Sequence, residues 1–457
     1  MDLKTAPMGE PTMGLKKKVL ISCAIAFVSI VAIVLVVLFA PLPMPVDWDS
    51  LYNVGSDVEL LAPGAEGNTT GSVALVKKDA SDWKILQFTD MHLSEQNTGD
   101  WSNDRTMKEY VAAIERERPD FVALTGDIIT SFRGRARAVQ LCEVMEKLGV
   151  YWAYGLGNHE GDEFYKMSRK ELMEIVEKYP HCLSDSSVKK TKTGEEVWGY
   201  SNFVVNLMDA DHNVKQSLIF MDSGDAISDA AAERHNVEKD TYDYLKESQK
   251  TWYKEQVYAV TNDLTNGVKT MLFIHIPLVE QRNMMFVNLT DEDTLKAGWS
   301  VDAPADGWTY VDAAPAVKNG KVIGKCAVKE GWNACKGTAN YEGVCSSEVN
   351  NGMYALMKEM RVAVNGLFCG HDHVNNSVMY EAAGEGETPI YLAYGVCSGY
   401  ATYNLYKNDK TDDPNNLLKG YSVITVHANG TFDYVGVSYD QNYERSPYVV
   451  NSLPYKE

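Results

Sequence analysis

The chain has 457 residues, 45% hydrophobic and 23% charged, a balance ordinary for a globular protein and unlike a disordered one. Its formal net charge of −20 argues against a nucleic-acid-binding surface, because phosphate backbones select lysine and arginine patches. An anionic substrate would then be drawn in by bound cations and not by the general surface field.

Residues 1–18 form a short head ending in Lys16-Lys17-Lys18. Residues 19–40 follow without a charge, and 22 residues are enough to span the hydrocarbon core of a bilayer as a helix. The positive-inside rule places residue 1 in the cytosol, giving a single-pass type II protein with its remainder lumenal or extracellular. A signal-peptide core is shorter, roughly 7–15 residues, so a transmembrane signal anchor is expected here and not a cleaved leader. Residues 41–82 hold Pro41, Pro43, Pro45 and Pro63 and read as a stalk.

From Trp83 a pattern recurs: an apolar run of strand length, a polar motif, then a helical periodicity. The runs Trp83–Thr89, Phe121–Thr125, Tyr151–Leu156, Met271–Ile274 and Val364–Cys369 are predicted strands. Helices are predicted over Arg105–Arg118 and residues 137–148, 166–178, 241–260 and 353–360. Alternating strands and helices predict an α/β sheet, with sites beyond the carboxyl ends of strands. The domain is bounded at 83–440, with an insertion at 280–350 that caps the site and a polar tail at 441–457.

The motifs are Asp90-x-His92, Gly126-Asp127, Gly157-Asn158-His159-Glu160, His275 and Gly370-His371-Asp372-His373. Each is weak alone, and a lone histidine after a strand is more often a hydrogen-bonded core residue than a ligand. Together they supply what two divalent or trivalent cations need, carboxylates and imidazoles that suit zinc, iron or manganese. Asp127 would bridge both ions. Asp90, His92 and His373 would complete one shell, and Asn158, His275 and His371 the other. Such a pair, roughly 3.5–4 Å apart, can share a hydroxide and clamp a phosphoryl group for in-line displacement. His159, which coordination does not need, could protonate the leaving oxygen, with Glu160 or another acidic group orienting its ring.

This ordered series resembles the calcineurin-like metallophosphoesterase superfamily. The segments Ile219–Gly224, Tyr244–Trp252, His275-Ile276-Pro277 and Tyr394-Gly395…Gly399-Tyr400 are similar to its small purple-acid-phosphatase-like branch. The resemblance implies a four-layer α-β-β-α sandwich, the ligand roles just given, and His159 as the catalytic histidine. It also favours a phosphatase for phosphate monoesters, which the apolar span would anchor to a membrane. The alternatives are a phosphodiesterase of the same fold or a non-catalytic surface-binding protein. One departure matters. Purple members carry a tyrosinate three residues after the bridging aspartate, where this chain has Thr130, so no tyrosinate–iron band is expected.

Seven cysteines lie beyond the apolar span, an odd count, and one bridge is expected among Cys326, Cys335 and Cys345. The sequons at Asn68, Asn288 and Asn429 are compatible with glycosylation, whereas a glycan on Asn375 would crowd the site.

Overall fold

The computed structural model describes residues 15–39, 41–55, 57–94, 100–161, 167–311, 316–318, 321–335, 339–385, 387–403, 419–439 and 450–451. It divides into two compact units, Met1–Pro43 and Met44–Glu457. The first contains helix α1 (Leu15–Phe39), whose side chains from Val19 to Leu35 are all exposed. At 1.5 Å per residue that run measures about 26 Å, short of the ~30 Å hydrocarbon core. Among the described residues no helix is long and apolar enough to cross a membrane, and the expected span of 19–40 extends beyond them.

The second unit opens with strands β1 (Val58–Leu61), β2 (Val73–Lys77) and β3 (Trp83–Phe88). Next come α2 (Asp100–Glu117), β4 (Phe121–Thr125), α3 (Gly134–Leu148), β5 (Tyr151–Gly155) and α4 (Arg169–Val176). Strands β6 (Phe203–Met208) and β7 (Val214–Phe220) precede α5 (Asp229–His235), α6 (Glu247–Val260) and β8 (Lys269–Phe273). The next stretch holds β9 (Met284–Asn288), α7 (Glu292–Lys296), β10 (Trp308–Tyr310), β11 (Ala316–Lys318), β12 (Lys321–Lys329) and β13 (Trp332–Ala334). Then follow α8 (Met353–Glu359), β14 (Val364–Cys369), β15 (Val378–Glu381) and β16 (Tyr391–Tyr394). Strands β17 (Gly420–Val426), β18 (Phe432–Ser438) and β19 (Val450–Asn451) finish it.

Nine strands form one sheet in the order β1-β2-β6-β7-β8-β14-β16-β15-β13, and six form another, β19-β18-β17-β3-β4-β5. Strands β3, β4 and β5 are mutually parallel, as are β7, β8, β14 and β16. Parallel strands need cover on both faces, and the sequence provides apolar residues at consecutive positions. Phe203, Phe220, Phe273 and Phe368 stack across four strands of the larger sheet, with ring centroids 4.7, 4.9 and 5.2 Å apart. Phe220 meets Phe121 of the smaller sheet edge-on at 6.4 Å, so this face is the core between the sheets. The neighbouring residues Ile219, Leu272 and Leu367 point the other way, against Trp252 and Tyr253 of α6 and Met353 and Met357 of α8. On the smaller sheet Phe88 packs on Tyr110 of α2 at 4.6 Å. Helices thus cover the outer faces of two facing sheets, a mixed α/β architecture.

Gln87 joins the sheets near the strand ends. Its Nε2 donates to Thr125 Oγ1 and to the Cys369 carbonyl, both at 3.0 Å. The strand ends that carry the motifs therefore share one buried polar seam.

Several expectations need correction. Residues 41–82 do not stand apart as a stalk: β1 and β2 extend the larger sheet, and Val46, Leu51 and Val54 are buried in the core. The 280–350 stretch builds its own small sheet from β9, β10, β11 and β12, and β13 returns to edge the large one. Helix α6 starts at Glu247, because Lys246 still has an extended backbone. No disulfide joins any of the eight cysteines. Cys326 lies within β12 and bonds to Asn340, Cys335 follows β13, and Cys345 sits in an exposed loop, so the three are held on separate elements. The 441–457 tail falls outside the described residues except for β19. At Asn68 the side-chain amide is buried, donating to the carbonyls of Leu61, Ala62 and Ser72, which closes that sequon to modification.

Candidate metal centre

Each motif lies just past a strand end: Asp90 and His92 after β3, Asp127 after β4, Asn158 after β5, His275 after β8, and His371 and His373 after β14. Here the backbone must leave the ladder sharply. Asp90, His92, Asp127 and His371 have φ of 53°, 45°, 53° and 85°, the left-handed region that side-chain-bearing residues rarely adopt. Each such residue costs of order 1–3 kcal/mol and persists only where its surroundings enforce it. The enforcement is visible. The amides of Asp90, His92 and Leu93 donate to the carbonyls of Gly126, Asp127 and Ile128 at 3.0, 2.9 and 2.9 Å, zipping the first two motif loops together. Gly370 is needed for close approach, since a Cβ there would sit 1.8 Å from Thr89 Oγ1.

All seven residues expected as ligands meet in this one place. Asp90, His92, Asp127 and His373 form one group, and Asp127, His275 and His371 another, with the donor atoms of each group within 4.8 Å of one another. Asp127 belongs to both. His275 Nε2 lies 3.2 Å from Asp127 Oδ2, 3.0 Å from Asn158 Oδ1 and 3.3 Å from His371 Nδ1, so Asn158 joins the second group. His373 Nε2 approaches Asp90 Oδ1 at 3.5 Å, and His92 Nε2 approaches Asp127 Oδ2 at 3.5 Å. His371 and His373 diverge as a turn after the strand allows, one into each group.

The donor set fits two cations. Buried polar atoms are normally hydrogen-bonded, yet among the described residues His92 Nε2, Asp127 Oδ2, His371 Nε2 and His373 Nδ1 have no such partner. Carboxylates shared among several imidazoles are the chemistry zinc, iron and manganese accept. Electrostatics agree. Burial opposes charge on Asp127 and Asp90, but the surrounding histidines hold both well below the usual carboxylate range. Burial, then the neighbouring His275, pushes His371 down to about 3, and burial pushes His373 down to about 4. Both rings are therefore neutral, with lone pairs to offer, across the physiological range.

His159 stands at the rim with a 42% exposed side chain, its Nε2 4.0 Å from Asp127 Oδ2 and its ring 5.4 Å from that of His92. The expectation for Glu160 is not met. Its carboxylate is taken up elsewhere, accepting from the amides of Ile128 and Gly157, both at 2.7 Å, from Asp127 N at 3.2 Å, and from Tyr154 OH at 2.7 Å. It clamps the second motif loop to the third.

Other neighbours carry no signature in the sequence. Arg169 bonds the Gly157 carbonyl and Asp222, bracing the Asn158 loop. Tyr242 sets its ring edge-on to His371 at 4.4 Å, and Tyr403 stacks on His373 at 4.5 Å while its hydroxyl donates to Glu342 at 2.7 Å. Asp372 turns from the centre to accept Tyr394 OH at 2.5 Å, and burial lifts its pKa to about 7. Of these, Asp222 and Tyr394 fell within segments the resemblance marked, and Asp372 within the fifth motif. The late Gly395…Gly399 segment packs on the first motif, with Ser398 N donating to the Thr89 carbonyl at 2.8 Å.

The family model for calcineurin-like phosphoesterases matches residues 84–302, which takes in the first four motifs. That segment is similar to the calcineurin-like phosphoesterases. The fifth motif lies beyond the match, and the fold brings it to the other four. Among curated relatives, the Arabidopsis thaliana protein named probable inactive purple acid phosphatase 28 is 27% identical over 46% of this chain and 57% of its own length. Phosphatase DCR2 of Saccharomyces cerevisiae is 26% identical over 71% of this chain and 50% of its own. The chain thus spans little more than half the length of these relatives. Among solved structures, the purple acid phosphatase PPD1 from yellow lupin (Lupinus luteus) seeds has a TM-score of 0.43 at 10% identity, over 83% of this chain and 55% of that one.

Proposed function

We propose that the chain is a dimetal phosphoesterase that hydrolyses phosphate monoesters. The observation that carries this reading is the convergence of two largely buried ligand groups sharing Asp127, with four ligand-type atoms that have no hydrogen-bond partner among the described residues. Asp90, His92, Asp127 and His373 would hold one cation, and Asp127, Asn158, His275 and His371 the other; zinc, iron and manganese all suit these donors. When bound, the pair would neutralise phosphoryl charge and make a nucleophile available near neutral pH.

The chain's own residues do the rest. Asp127 fixes the geometry of both groups because Glu160 and His92 hold its loop on two sides. His159, half-exposed at the rim, is placed to give a proton to the departing oxygen. Asn158 is within reach of His275 and would orient phosphoryl oxygen as well as ligate. Purified protein should hydrolyse p-nitrophenyl phosphate only with added divalent metal, and Asn158→Ala and His159→Ala should each cut kcat by about 100-fold or more, the scale of general-acid catalysis. Full turnover in both variants would refute the assignment.

A second reading, a non-catalytic binding protein of the same fold, has one point in its favour: two of the relatives are named probable inactive purple acid phosphatases. None of the seven ligand positions has lost its ligand here, which weighs for catalysis. Metal content decides between them, near two ions per chain for the enzyme and none for the binder. We further propose that the apolar span 19–40, which extends past the described residues, anchors the protein to a bilayer, with the second unit on the lumenal or extracellular side. The support is its uncovered apolar surface from Val19 to Leu35 after three lysines. Asn288 and Asn429 would then be the sequons open to glycans, both being exposed.

A further inference from the structure

A cavity of about 980 Å³ opens between residues 236–242 and 344–348. It adjoins the metal centre through two contacts. Tyr242, in its wall, packs on His371, a residue only 7% exposed whose Nε2 has no hydrogen-bond partner among the described residues. Cys345, in the opposite wall, donates its amide to the Asp372 carboxylate at 3.2 and 3.3 Å. Ligand pockets range over roughly 300–1,000 Å³, so this one is far larger than a phosphate or a single ring requires.

Charge sets what such a cavity accepts. Its lining includes the cations Lys239 and Arg282 and the acids Glu238, Asp240 and Glu348. The cations are already matched: Arg282 pairs with Glu348 at 2.8 Å, and Lys239 with Asp229 and Glu233 at 3.1 and 3.2 Å. Among the described residues Glu238 and Asp240 make no ion pair, so they give the cavity its sign.

Resting on the phosphoesterase reading, we propose that this cavity holds the leaving group, and that it selects extended, positively charged ones: phosphorylated hydroxyls within a basic peptide segment. With the phosphoryl group at the metal centre, the chain departing past Tyr242 enters an acidic chamber. A polyanionic leaving group, such as a nucleoside diphosphate, meets repulsion there.

The test uses the full chain, loaded with metal, and two phosphoserine peptides of equal length. One carries lysine and arginine beside the phosphoserine, the other aspartate and glutamate. At low ionic strength the basic peptide should have about a tenfold higher kcat/KM, the scale of a few charge pairs near a protein surface. The double variant E238K/D240K should reverse that ratio, and raising salt should compress it in the unaltered protein. Equal rates for the two peptides, a faster acidic peptide, or a ratio unmoved in a variant that melts like the parent would overturn the inference. Should the variant not fold, a salt-independent ratio in the parent does the same. If p-nitrophenyl phosphate is cleaved but the peptides are not distinguished, the inference alone falls. If no ester is cleaved with any metal, the phosphoesterase reading falls and this inference with it.

Discussion

Asp90, His92, Asp127 and His371 all hold left-handed backbones, and what keeps them there is a handful of buried polar groups, of which Glu160 is the most heavily used. One carboxylate accepts three backbone amides and a tyrosine hydroxyl across two loops. Hydrogen bonds to a charged group are worth about 1.5–3 kcal/mol each, and leaving buried donors unmatched costs their desolvation. Glu160→Ala should therefore destabilise the domain by about 3 kcal/mol in urea unfolding and reduce bound metal. Glu160→Gln, which keeps the shape but sets an amide NH2 against donors that now meet a carboxylate oxygen, should be destabilising as well. Unchanged metal content in the alanine variant would show that the clamp is dispensable for the centre.

At the scale of elements, the two sheets meet through the phenylalanine ladder and the Gln87 seam, and their outer edges are pinned by smaller polar devices. His427, after β17, lies between Asp82 ahead of β3 at 2.8 Å and Asp433 of β18 at 3.1 Å. Burial works against a charge on the ring, but the bond to Asp82 and the two carboxylate charges raise its pKa above the ordinary value. The sign follows from linkage. A group whose folded pKa is raised contributes stability that is complete below its unfolded pKa, about 6.5, and lost as pH rises through the folded value. His427→Gln should accordingly lower the melting temperature at pH 5.5 and change it little at pH 9. An equal loss at both would assign the residue a packing role only. The site is partly solvated, so the effect is a modest one.

For the whole molecule, the compact unit begins at Met44, well before the first motif. A chain starting at residue 44 should fold with a cooperative melt. One starting at 83 loses β1, β2 and the buried Val46, Leu51, Val54 and Leu75, uncovers the edge of β6, and should aggregate or melt at least 10 °C lower. Metal should also be felt globally. A ligand at 100 times its Kd adds about 2.7 kcal/mol to stability, so chelation should lower the melting temperature by a few degrees. Chelation should spare the His427 effect, which is remote in chemistry. No shift on chelation would argue against bound cations.

What the amino-acid order determined by itself was the strand-then-motif rhythm and the identity of the ligand atoms. Both are local: an apolar run of strand length followed at once by Asp, Asn or His needs no knowledge of the rest of the chain. Five such pieces were enough to infer a shared site before any contact was known. The tertiary structure decided the things that depend on distant partners. Glu160 reads as an orienter of the adjacent His159 because the two are neighbours in sequence, yet folding brings the amides of Asp127 and Ile128 to its carboxylate instead. The proline-rich 41–82 stretch reads as a stalk because β1 and β2 are short, and only their pairing to each other and to β6 makes them part of a sheet. Tyr242, Tyr403 and Arg169 carry no local pattern at all. Their roles arise from which loop ends a folded backbone holds together, and long-range closure of that kind leaves no periodicity for a sequence to display.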